Sequence, residues 1–351
     1  MSDSAERLPV IAGYTDKLGL KPDFGWWIDE IAAGEKWRQK GAYESRWPIW
    51  TAFYRNDYSD LQALDMLGGR SHMVINLFFM MARTLIPRLY FRNPSLSVLP
   101  DQPGAAHMGL SAVAQRVLNK LMLSMNLKNT MRNAVQQTFF TGIAPLQLGY
   151  GVEHVPTGSG STAADTAPGT PASEWKADIQ RDQPWVMNVP TGSFVLPEGC
   201  TDRLAAPWQC KVVYRDLDAL RRDDRLANTK GITATHTPDV DSKETDSRRT
   251  TVGLVRINEV HDRRTGRVFA FVPSAKGAEG LLFGPELDEF QSVSGGPFYD
   301  IVFNKDSGTV WGLPDGQILE PYQREANEIA TQIQTHRRIT TRKLKYNKQG
   351  V

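Results

Sequence analysis

The sequence predicts an α+β fold, a mixed body of helices and strands followed by one long helix, on three observations. Within residues 105–140, Val113, Val117, Leu121 and Met125, then Met131, Val135 and Phe139, recur at three- and four-residue steps, the spacing of one helical face. Period-two alternation, the mark of half-buried strands, recurs within residues 143–303. Beyond Pro314-Asp315-Gly316, the residues Ile318, Leu319, Tyr322, Ala326, Ile329, Ile333 and Ile339 fall on one face of a helix running to about residue 344. The 351 residues, 40% apolar and 23% charged, give room for two or three domains with a sizeable core. A wholly disordered chain is excluded on the same numbers.

Taken in order, residues 24–65 are rich in rings: Trp26, Trp27, Trp37, Tyr43, Trp47, Trp50, Phe53, Tyr54 and Tyr58. Trp26, Trp27, Glu30, Ile31 and Glu35 suit an amphipathic helix with Asp23 as its N-cap. The rings fit an arm packed on a neighbouring surface better than a base-stacking platform, which needs a stripe of cations; here Lys36, Arg38, Lys40, Arg46 and Arg55 are partly balanced by acids. Residues 73–86 predict a buried helix ended by Pro87. Residues 88–100 (RLYFRNPSLSVLP) predict a short strand after an Asn-Pro turn. The helical stretch 105–140 breaks near residues 126–129, Gly142 closes its second half, and residues 143–152 return as a strand.

Residues 156–173 (PTGSGSTAADTAPGTPAS) carry no hydrophobic period and predict a flexible hairpin tip between strands, the second resuming at about residue 175. Residues 183–197 and 208–214 read as further strands, and residues 216–225 as a short helix capped by Asp216. A second polar island, 228–250, predicts a loop. Residues 252–272 alternate on both sides of an Asp262–Gly266 turn, a β-hairpin. Residues 281–283 and 298–303 add edge strands.

Forty-one Lys and Arg against 39 Asp and Glu leave a formal charge of +2. That excludes a histone-like polycation, so any contact with nucleic acid must use a local patch. Two cysteines, Cys200 and Cys210, cannot build a disulfide framework, which excludes a small secreted scaffold and predicts ordinary thiols. Residues 1–25 lack the apolar core of a signal peptide. The most apolar run, 73–86, is shorter than the roughly 20 residues a bilayer requires and is interrupted by Asn76 and Arg83. No membrane association is expected.

Chemical motifs are sparse. No GxxxxGK[ST] loop occurs, and residues 149–151 are too short to cradle a pyrophosphate. His72, His107, His154, His236, His261 and His336 are scattered without HxxxH, HExxH or CxxC spacing, so no metal or cofactor is expected. Gly158-Ser159-Gly160 lies in a polar island and does not make a nucleophile elbow. His261-Asp262 suits a turn pair better than an acid–base dyad. No catalytic residue is nominated, although carboxylate pairs can be assembled in space.

One asymmetry stands out at the end. After Glu328 no acid occurs, while Arg337, Arg338, Arg342, Lys343, Lys345 and Lys348 crowd the final fifteen positions. Cations in the last turns of a helix complement its negative pole without any ligand. Alternatively they meet phosphates or an acidic partner. The pole accounts for two or three of them; six suggest a partner as well.

The order of these elements resembles the portal proteins of tailed bacteriophages. Residues 73–100, a helix into a short strand (NPSLSVLP), look like the family's opening. RNAVQQTFFTGIAPLQLGY is similar to its helix–Gly–strand step, and PWVMNVPTGSFVLPEGCTD followed by WQCKVVYRDLDAL to its next strands. RINEVHDRRTGRVFAF looks like its hairpin, and GPFYDIVFNKDSGTVWGLPDGQILEPYQREANEIATQIQTHRR like its Pro-Phe strand, Gly-Pro loop and long helix. No single motif is specific; the resemblance lies in their order over about residues 45–345.

The resemblance implies a structural subunit rather than an enzyme. Portal subunits form a homo-oligomeric ring, usually of twelve, at one capsid vertex. Double-stranded DNA passes through the ring without sequence specificity, driven by a separate terminase, and head-tail adaptor and major capsid proteins dock around it. The resemblance places the chain in the virion, assembled in the host cytoplasm. Residues 1–65 would be an aromatic-rich helical arm and 66–315 a portal-type wing with insertions at 156–173 and 228–250. Residues 316–345 would be the first stem helix and 346–351 the start of a clip, with the rest of a portal expected in a longer or split product. Arg337, Arg338, Arg342, Lys343, Lys345 and Lys348 are the candidates for DNA or partner contact, and Trp26, Trp27, Trp37, Trp47 and Trp50 for subunit contact. The competing expectations are a nucleic-acid-processing enzyme and a monomeric protein-binding adaptor.

Overall fold

Two antiparallel sheets and seven helices build the molecule, seen in a computed structural model that describes residues 11–16, 19–57, 74–90, 94–157, 176–235, 253–275, 277–290 and 295–341. The helices are α1 (Phe24–Gly41), α2 (Trp47–Arg55), α3 (Leu77–Leu89), α4 (Ala105–Ser124), α5 (Leu127–Thr141), α6 (Leu217–Arg222) and α7 (Asp315–Thr341). The strands are β1 (Ile143–Thr157), β2 (Lys176–Asn188), β3 (Phe194–Val195), β4 (Trp208–Asp216), β5 (Leu254–Asp262), β6 (Arg267–Phe271), β7 (Leu281–Leu287) and β8 (Phe298–Val302). One sheet has the order β2-β1-β8, the other β3-β4-β5-β6-β7. The fold is mixed α+β, as the alternation of periods predicts.

Helix α1 begins where Asp23 accepts hydrogen bonds from the Gly25 and Trp26 amides, the N-cap expected from the sequence. Its Trp27 and Ile31 lie on Val195, Trp208, Cys210, Val212, Val260, Phe269 and Phe271. Those strand residues share one face, because successive side chains point to opposite faces of a sheet. Glu35 holds Arg256 of β5 at 2.7 Å, and Arg38 donates to the Phe194 carbonyl at 3.0 Å, fixing the helix along the sheet. A second core gathers Ile143, Phe194, Phe298 and Trp311 with the partly buried Trp37 and Trp47. A third, between helices, joins Trp50 and Phe53 of α2 to Phe78 and Ala82 of α3 and Phe139 of α5.

For Trp27 and Trp50 these cores correct the expectation of subunit contact. Trp27 and Trp50 are fully buried within their own chain, and Trp26, Trp37 and Trp47 are partly buried. The ring-rich segment is spent on the body's interior because large rings are the cheapest way to cover both a sheet and a helix pair. Tyr58 and Asp65 lie outside the described residues.

The helical break falls at Asn126, in the left-handed region, and α5 ends at Gly142 with φ 80°, both as expected. Strands β1 and β2 pair from Leu146↔Asn188 to Thr157↔Lys176, so residues 158–175, outside the described set, join a hairpin. The start of the second island is better anchored than expected: Ile232 is buried against Leu220, Val255 and Ile257. Residues 236–252 lie outside the described set.

Three further expectations are corrected. Pro87 does not end α3, which runs to Leu89: it sits in the last turn, and the Tyr90 amide still closes a bond to Ile86. Nor is α3 buried all round: Phe78 and Ala82 are interior, while Phe79, Met80 and Met81 are exposed. Residues 94–100 belong to neither sheet. They run extended beside α4, where Asn119 accepts from the Leu96 amide and donates to its carbonyl, both at 3.0 Å, and Gln115 accepts from Val98 at 3.1 Å. Side-chain amides there replace a partner strand.

Candidate functional site: the projecting helix and its polar root

The apolar face of α7 read from the sequence is not its buried face. Ile318, Tyr322, Ile329, Ile333 and Ile339 are exposed by 42–66%. Glu320, Gln323, Asn327 and Ala330 are buried instead. The cause is what α7 packs on: the N-terminus of α3 and the helix pair beside it, which offer backbone amides as well as apolar surface. Gln323 accepts from the Leu77 amide at 2.8 Å and the Phe78 amide at 3.4 Å, and donates to the Ile75 carbonyl at 2.7 Å. Asn327 accepts from the Ile75 amide at 3.1 Å and from Gln323 at 2.9 Å. Asn76 caps α3 through the Phe79 amide. The first amides of a helix have no intrahelical partner, and Gln323 of α7 supplies the acceptor for two of them.

One turn earlier, Glu320 accepts from Trp50 Nε1 at 2.8 Å, Arg46 Nη1 at 3.0 Å and Arg324 Nη2 at 2.7 Å. Its charge is therefore fully matched at the root. Beyond Ala330 no residue of α7 up to Thr340 is buried. At 1.5 Å per residue the stretch 331–340 is about 15 Å long, and its residues are exposed apart from the partly buried Thr331 and Gln334. Arg337 and Arg338 sit on that projecting end and are exposed. Arg342, Lys343, Lys345 and Lys348 lie outside the described residues.

A second polar group lies on the five-stranded sheet, on the face away from α1. Lys211 and Glu259 are cross-strand partners and form an ion pair of 2.9 Å. His261 lies between two carboxylates, with Nδ1 2.7 Å from Asp288 and Nε2 3.2 Å from Glu259. Gln147 of β1 reaches across from the other sheet, donating to Glu259 at 3.2 Å and accepting from Lys211 at 2.6 Å. Burial pulls the imidazole pKa down, but the hydrogen bonds and charges of Asp288 and Glu259 outweigh it and leave it raised. Burial pushes the Glu259 carboxyl up, and His261 and Lys211 more than reverse that, bringing it to about 2. Asp288 is likewise lowered.

Asp262 takes no part in this group: it binds Arg264 at 2.9 Å and Thr265 at 3.2 Å in the following turn, the turn role expected for it. Every polar atom of the His261 imidazole is committed, so the arrangement holds two sheets together rather than presenting a base to a substrate. Both thiols are pushed up by burial, Cys210 most of all, the opposite of an activated nucleophile. Among the described residues no three His, Cys, Asp or Glu side chains form a metal-holding group, and no helix is long and apolar enough to cross a membrane.

The polar root was missed in the sequence, yet it leaves a signal there. Glu320, Gln323 and Asn327 stand at i, i+3 and i+7, a stripe as regular as an apolar one. Comparison with protein-family models and with curated proteins found no match.

Proposed function

We propose that the chain is a subunit of a phage-type portal ring, contributing its wing and first stem helix, and that it acts as a structural conduit for double-stranded DNA rather than as an enzyme. One observation carries this reading: a long helix is rooted in an α+β body by a fully satisfied polar seam and then leaves it, with Arg337 and Arg338 on the exposed end. A helix meant only to complete a globule would turn its isoleucines inward. A conduit must hold DNA loosely, since each phosphate–cation contact adds salt-dependent affinity that resists movement. A near-neutral chain with one basic cluster, at residues 337–348, meets that requirement. Terminase, adaptor and capsid proteins would be the partners in this reading.

The particle mass of the purified chain tests the assembly: closed rings are expected, and a strict monomer at all concentrations overturns it in favour of an adaptor. The double substitution Arg337→Ala with Arg338→Ala tests the channel role. Both residues are exposed, so the wing should unfold at an unchanged temperature while DNA packaging falls. Normal packaging by that variant would remove the basic end from the mechanism.

A further inference from the structure

Two helices carry apolar stripes that no described residue covers, and the exposed charges beside those stripes are of opposite sign. On α4, Leu110, Val113 and Val117 are exposed by 70%, 57% and 51% and stand at i, i+3 and i+7, one face of the helix. The helix packs on the body by its other side, through Ser111 and Met122. Arg116 and Lys120, both exposed, flank the stripe. The surrounding sequence is one-sided: residues 66–152 hold eight Lys and Arg against the single acid Asp101. On α7, Ile318, Tyr322, Ile329 and Ile333 make a stripe exposed by 42%, 63%, 48% and 57%. Glu325 lies within that stripe and Glu328 beside it, both exposed. At 1.5 Å per residue the α4 stripe runs about 10 Å and the α7 stripe about 23 Å, so the shorter fits along the longer.

We infer that the basic-rimmed stripe of α4 docks on the acid-rimmed stripe of α7 in a second copy of this chain, a head-to-tail contact. This rests on the ring reading and names the surfaces that would close the ring. Like charges disfavour α4 against α4 and α7 against α7, so neither stripe suits an isologous pair. Each stripe finds in the other an apolar surface to bury and a rim of opposite sign. A contact between two different patches repeats around an axis and closes as a ring. An anionic lipid surface would attract α4 alone and would leave α7 uncovered.

Complementation tests the pairing. Val113→Asp with Val117→Asp blocks α4; Ile329→Lys with Ile333→Lys blocks α7; all four positions are exposed, and thermal unfolding checks that each variant keeps its fold. Each variant alone should run as a monomer by light scattering. Mixed, the intact α7 of the first should meet the intact α4 of the second and give a 1:1 dimer of twice the monomer mass. A wild-type chain that stays monomeric overturns the ring reading and this contact together. Wild-type rings whose variants also form rings overturn only the contact, as do monomeric variants that give no dimer on mixing. Loss of flotation with phosphatidylserine vesicles in the α4 variant, with its assembly unchanged, would assign α4 to lipid and overturn the proposal.

Discussion

Gln323 is the residue on which the attitude of α7 depends. It is fully buried and satisfies the Leu77 and Phe78 amides, the Ile75 carbonyl and the Asn327 side chain at once. Leucine has nearly the same length and none of these bonds. Gln323→Leu should therefore orphan buried backbone groups at about 1–3 kcal/mol each and lower the unfolding free energy by on the order of 2–4 kcal/mol in urea titration. A loss under about 0.5 kcal/mol, within the range of an ordinary surface change, would mean the root is not held by these bonds. Substituting Glu320 should be worse for a different reason: Arg46 and Arg324 would face each other without the carboxylate between them.

For whole elements, the close approach of α1 to the sheet is controlled by Gly34. A Cβ there would meet the Leu196 carbonyl and, at 2.8 Å, Val195 Cγ1. In an open helix Gly→Ala stabilises by about 1 kcal/mol; here the added methyl pushes the helix off its seat. Gly34→Ala should lower the melting temperature, by the equivalent of about 1–3 kcal/mol, and a rise would show that α1 is less tightly seated. The legibility of elements follows from the same contrast between local and tertiary causes. The Asp23 cap, the Asn126 break, the Gly142 stop and the β5–β6 hairpin were readable because each is set by residues adjacent in the chain. The strand expected at 94–100 was not, because only distant Asn119 and Gln115 decide what those amides bond to. The buried face of α7 was not legible for a related reason. Apolar periodicity locates a face but does not say whether the surface beneath is oil or a row of free amides. The charged end of the candidate site was visible as composition; its polar root was visible only as a stripe whose partner lies some 245 residues away.

Across the whole molecule, the two sheets are tied by charge as well as by apolar contact, and that makes stability depend on pH in a way that can be signed. His261 on β5 faces Glu259 on its own strand and Asp288 beyond β7; Lys211 of β4 and Gln147 of β1 complete the group, and the Phe298 ring of β8 stands edge-on at 5.3 Å. The folded imidazole holds its proton above the ordinary value of about 6.5, despite a burial that opposes it, because both carboxylates bind it. A group whose pKa is raised by folding contributes fully below its unfolded value, and the contribution disappears as pH rises through the folded value. Glu259, near 2 in the fold, works in the opposite direction: its contribution is present above the ordinary carboxylate range and is lost as pH falls towards 2. His261→Gln keeps one amide donor of similar size but cannot be protonated. The wild type should therefore exceed that variant in melting temperature most clearly near pH 5.5–6, with the gap narrowing steadily towards pH 9. The Arg203–Asp300 pair, which ties the turn before β4 to β8 and involves no imidazole, serves as the internal control, since its removal should cost the same at both ends of that range. A wild-type advantage over His261→Gln that is equal at pH 6 and pH 9 would mean the imidazole is neutral in the fold and the seam is held by hydrogen bonds alone.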